Sequence, residues 1–126
     1  MSRSVFENDL FENNPLDREV LATLRDLQNA GEPGFLSELV AAYVADAITR
    51  IDAFRAAIQR GDPKALYQAA HSLKGSSANL GARELVSLCA ELEAQGRAGV
   101  MVGVAAALAD VEAEFTRVRR ALEAEL

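Results

Sequence analysis

The sequence predicts an all-α protein, an up-and-down antiparallel four-helix bundle with a short additional N-terminal helix. Three observations carry this. Alanine, leucine, glutamate and arginine dominate the 126 residues, with three prolines and eight glycines to interrupt them, and those four residues are strong helix formers. Apolar residues recur at steps of three and four along the chain, and no segment shows the alternation of a half-buried strand. Four separate stop signals divide the pattern, which argues against the alternative of one extended coiled coil. The loops between them are short, so sequential helices become antiparallel neighbours. The length suits one compact domain, with no linker, internal repeat or low-complexity tract.

Residues 1–16 read as an irregular arm, with Phe6 and Phe11 expected to pack back onto the body, and residues 17–126 as the bundle domain. The first helix opens at Asp17 as cap, carries Val20, Leu21, Leu24 and Leu27 as its stripe and stops at Gly31. The second carries Phe35, Leu36, Leu39, Val40, Tyr43, Val44, Ala47, Ile51, Phe54 and Ile58 over about seven turns and ends at Gly61. Asp62 at the cap and Pro63 at the first helical position start the third, which ends at Gly81. The fourth turns Leu85, Leu88, Cys89 and Leu92 inward and closes at Gly96 or Gly99. The last places Val104, Leu108, Val111, Phe115, Val118 and Leu122 at alternating steps of four and three.

Charge and composition exclude several functions. A net charge of −6 repels phosphate backbones and anionic lipid, so neither nucleic acid nor a membrane is an expected partner. No apolar run approaches the roughly 18 residues that span a bilayer, and "MSRSVFENDLFENN" lacks the apolar centre of a signal peptide. The expected location is cytoplasmic, and the single cysteine, Cys89, agrees with a reducing compartment. A metal site in a bundle needs several inward Glu or His residues. This chain has one histidine and apolar core stripes, so no metal is expected.

That histidine lies in "HSLKGSSANLGA", from His71 to Ala82. On a helical wheel Leu66, Ala70, Leu73, Ser77 and Leu80 form the core stripe, and His71 falls roughly 140° from its middle. Its neighbours on the outer face are Lys64, Tyr67, Gln68, Lys74, Gly75 and Ala78. Gly75 stands one turn after His71, where alanine would favour the helix by roughly 0.5–1 kcal/mol. With no side chain at Gly75 and a methyl at Ala78, the imidazole stands in a clearing open to another protein. An exposed imidazole, with an ordinary pKa of about 6.5, is largely neutral near pH 7 and nucleophilic at a ring nitrogen. A phosphoryl group on it carries about two negative charges, and Lys74 stands near enough to be its counter-ion. Reversible phosphoryl transfer fits these features. Ser77, on the inner stripe, reads as a buried hydroxyl bonded to its own helix.

The stretch "AHSLKGSSANLGA" resembles the signature of histidine-containing phosphotransfer (HPt) domains of phosphorelays, with a weaker likeness through "LVSLCAELEAQGRAG". The resemblance implies that His71 is phosphorylated, that Lys74 helps hold the phosphoryl group and that Gly75 is the gap that admits the partner. It implies as partners response-regulator receiver domains, whose phospho-aspartate and Mg²⁺ supply the chemistry, and a hybrid histidine kinase. The chain itself then needs no cofactor and binds no nucleotide. A polar side chain of the next helix touches the imidazole in some members, and Glu93 is the candidate here. Lys64, Tyr67, Gln68, Ala78 and Glu93 complete the partner-facing set. No glycine-rich phosphate loop is present, so phosphohistidine is not made from ATP by this chain unaided. A monomer with the His71 face open is expected, and the initial methionine favours a free-standing protein. Two other functions share the face: a silent helical adaptor that docks a receiver or kinase, and a regulator that drains phosphate from a receiver.

Overall fold

The computed structural model describes residues 14–30 and 34–126. Among them run five helices and no strand: α1 (Arg18–Ala30), α2 (Phe35–Arg60), α3 (Pro63–Asn79), α4 (Arg83–Ala98) and α5 (Val104–Glu123). The all-α bundle expected from periodicity is the fold observed. Gly31, Phe6 and Phe11 lie outside the described residues.

The starts of α1 and α3 follow the capping chemistry of their sequence. The Asp17 carboxylate accepts from the Glu19 backbone N–H at 2.8 Å, and Asp62 accepts from Ala65 at 3.1 Å with Pro63 in the first turn. Each satisfies a donor that the helix itself leaves unpaired. Gly61 and Gly99 close α2 and α4 in the left-handed conformation. Gly96, the other candidate stop for α4, lies inside that helix.

α2, α3, α4 and α5 each pack on the next, and α5 returns to α2, closing the four-helix ring. The core is the predicted one over most of its length. Leu66, Ala70, Leu73 and Ser77 are buried on α3 and Leu80 at its C-terminal cap, and all six apolar positions named for α5 are buried. On α2 the inward row is Leu36, Val40, Tyr43, Val44, Ala47, Ile51 and Phe54. Phe35 and Leu39, placed on that row from the sequence, are instead 45% and 37% exposed. Each lies one residue, about 100° of helix, behind a member of the true inward row. Ser77 is buried as expected, but its hydroxyl crosses to α2 and meets the Tyr43 hydroxyl at 2.8 Å.

α1 lies across one end of the ring. The Asp17 N–H donates to Gly81 O at 2.9 Å, Arg25 pairs with Glu125 at 3.1 Å and Gln28 donates to Leu126 O at 3.2 Å. Leu16 joins the core at 2% exposure. No helix among the described residues is long and apolar enough to cross a membrane.

Candidate functional site

α3 buries Ala70 and Leu73 and thereby turns His71, between them, outward; the imidazole side chain is 62% exposed. Gly75 follows one turn later, and a Cβ built there would meet nothing within 4 Å. Lys64, Gln68 and Ala78 are exposed on the same helix. The clearing read from the sequence is present in the structure.

The floor of the clearing comes from α4. Glu93 is 6% exposed, and each of its carboxylate oxygens is engaged: Oε2 with His71 Nδ1 at 2.5 Å, Oε1 with Lys74 Nζ at 2.5 Å. Gly96 lets α4 come close to α3. A Cβ at Gly96 would lie 2.7 Å from Tyr67 N and 2.8 Å from Pro63 O, so the helices approach backbone to backbone one turn beyond Glu93. Glu93, grouped above with the partner-facing residues, therefore sits beneath His71 and Lys74 and meets the imidazole instead of an outer surface.

The electrostatics fix the proton. The Lys74 hydrogen bond, and then the one from His71, hold the Glu93 carboxyl below its usual range against the opposing effect of burial. An ionised carboxylate can only accept, so His71 Nδ1 carries the hydrogen and donates it. In the neutral ring the lone pair is then on Nε2, which has no hydrogen-bond partner among the described residues. The arrangement presents one unprotonated nitrogen to solvent, above a buried anion and beside an ammonium.

Tyr67 and Arg97 extend the site along α3 and α4. The Tyr67 ring stacks on the imidazole with centroids 5.7 Å apart and planes 16° from parallel, and the Arg97 guanidinium lies over the Tyr67 ring at 5.2 Å. Lys64, Tyr67, Gly96 and Arg97 line an open groove there. Arg97 was not singled out in the sequence, although it stands four residues after Glu93 and so on the same helical face. Cys89 is buried, and burial first, then the Glu93 charge, pushes its thiol pKa up to about 12. No group of three or more His, Cys, Asp or Glu residues placed to hold a metal occurs among the described residues.

The Hpt domain family model matches residues 38–121. The chain is 30% identical over 107 residues to histidine-containing phosphotransfer protein 4 of Arabidopsis thaliana, covering 83% of this chain and 84% of that protein. With protein 5 of the same plant it shares 32% identity over 83 residues, 64% of this chain but 52% of the relative, about half its length. The crystal structure of histidine-containing phosphotransfer protein B from Pseudomonas aeruginosa PAO1 is similar with a TM-score of 0.77 and 38% identity. That match covers 87% of this chain and 92% of the other.

Proposed function

The chain belongs to the Hpt domain family, and on that premise we propose that His71 receives and hands on a phosphoryl group in phosphorelay signalling. One arrangement supports this above all: an exposed imidazole whose Nδ1 hydrogen is bonded to a buried carboxylate, one helical turn before the open space at Gly75. The donor is the aspartyl phosphate of a response-regulator receiver domain. The Nε2 lone pair forms the new N–P bond as the P–O bond to the donor aspartate breaks, and that carboxylate leaves with the electron pair. The ring becomes cationic as the bond forms, and the Glu93 carboxylate stabilises it through the Nδ1 hydrogen without having to remove it. Lys74, already on Glu93, lies beside the arriving negative charge. Mg²⁺ belongs to the receiver and, when bound there, neutralises the transferred oxygens. Reversal of the same steps passes the phosphoryl group to another response regulator.

The protein is thus a phosphocarrier, with ATP chemistry left to a hybrid histidine kinase. It works in the cytoplasm as a monomer, since a receiver must reach the His71 face, and its negative charge keeps it from nucleic acid. Nitrogen-labelled protein phosphorylated by a receiver tests the assignment by NMR. Phosphorus–nitrogen coupling to His71 Nε2 is expected; a phosphate on Nδ1, or on a serine such as Ser76, contradicts it.

A further inference from the structure

We infer that Tyr67 is a positioning residue for phosphoryl transfer: its ring, stacked on the His71 imidazole and covered by Arg97, holds the plane in which Nε2 meets the donor. The inference rests on His71 being the carrier. The need for a second constraint follows from geometry. The outer torsion of a histidine side chain is broad, and a single hydrogen bond tolerates a wide range of angles. Glu93 therefore locates Nδ1 but leaves the ring free to tilt about that contact, which sweeps Nε2 through an arc. A face-to-face contact removes that freedom. Tyr67, four residues before His71 and so on the same helical row, supplies one, with planes 16° from parallel.

Tyr67 is itself held. Its backbone lies close against α4, since Tyr67 N and Cα would lie 2.7 and 2.9 Å from a Cβ at Gly96. The Arg97 guanidinium, one turn beyond Glu93 on α4, lies over the ring. Two side chains of α4 thus act on two sides of one device: Glu93 on the nitrogen, Arg97 on the ring that stacks against it. The stack also suits the reaction electrically. When Nε2 gives its lone pair to phosphorus and the donor carboxylate leaves, the imidazole becomes cationic against an aromatic face, which favours a cation.

The test separates rate from docking. Transfer from a phosphorylated receiver to the full-length protein is followed by rapid quench across receiver concentrations, for wild type, Tyr67→Phe, Tyr67→Leu and Arg97→Gln, with His71→Gln as control. Tyr67→Leu is expected to lower the saturating rate about three- to tenfold with the half-saturating receiver concentration unchanged. Tyr67→Phe, which keeps the ring and gives up only the hydroxyl's contact with Arg97, is expected to stay within about twofold of wild type. The His71 ring protons should show an upfield shift from the stacked ring in wild type and Tyr67→Phe, and lose it in Tyr67→Leu. Arg97→Gln alters an exposed side chain, so it stays informative if Tyr67→Leu fails to fold; it should reduce that shift and lower the rate about twofold. A saturating rate untouched by both Tyr67→Leu and Arg97→Gln overturns the positioning role. So does a loss confined to the half-saturating concentration, which makes Tyr67 a docking residue, or an equal loss in Tyr67→Phe. Uptake by His71→Gln instead removes the carrier assignment on which the role depends.

Discussion

Glu93 accepts from Lys74 and from His71 with one carboxylate, and both contacts lower its pKa while burial opposes them. The sign of its effect on stability follows. Between the lowered folded value and the usual 4.5, the unfolded chain binds more protons than the folded one, so stability rises with pH. The contribution is full above the usual value and is lost as pH falls through the folded value. Denaturant titrations of wild type and Glu93→Gln from pH 7 downward should show a stability gap that is constant above about pH 5 and closes in acid; a gap that widens in acid contradicts the arrangement. For transfer, Glu93→Ala removes a charge-assisted contact of about 1.5–3 kcal/mol, so uptake should slow about 10- to 100-fold in quench experiments. Glu93→Gln, whose amide oxygen still accepts from Nδ1, should lose less. At this scale His71, Lys74 and Gly75 were legible because they fall within one stretch of one helix. The Glu93 contact entered only through the family resemblance, and the Tyr67–Arg97 pairing not at all. Contacts between helices depend on how far α4 slides along α3, and no local spacing encodes that.

Two mid-helix glycines differ in opposite ways at the scale of the element. Gly75 faces open space, so Gly75→Ala should raise thermal stability by about 0.5–1 kcal/mol through helix propensity. Phosphoryl uptake should fall as the side chain at that position is enlarged from Ala to Leu. Gly96 faces the α3 backbone at 2.7 Å, so Gly96→Ala must push α4 away and should cost about 1–3 kcal/mol. Calorimetry on the pair checks both signs, and a destabilising Gly75→Ala would refute the open clearing. In the sequence Gly96 resembles a helix stop as much as Gly99 does, because a closing glycine and a packing glycine look alike three residues apart. Phe35 and Leu39 misled for a related reason. Apolar pairs at 35/36 and 39/40 widen the stripe, and which member faces inward depends on where the neighbouring helices lie.

The whole molecule was the most legible level, since a bundle needs little beyond helical periodicity and stops. Its four-helix ring holds α3 by the row from Leu66 to Leu80, and that row leaves His71 no direction but outward. α1 docks at the end where Asp17 meets Gly81, leaving the middle of α3 uncovered. The tie between α2 and α3 made by Tyr43 and Ser77 is one part of this order that wheel analysis could not supply; burial pushes the Tyr43 hydroxyl up to about 12, so it remains a neutral hydrogen-bonding group at working pH. The fold thus serves to present one nitrogen on a rigid helix. The most direct measurement is phosphoryl uptake from a phosphorylated receiver domain by wild type and His71→Gln, with the product tested for stability in acid and base. Wild type should yield a product labile in acid and stable in base, and the variant none. Equal uptake by both, or docking without uptake from a panel of receivers, would contradict the carrier role of His71.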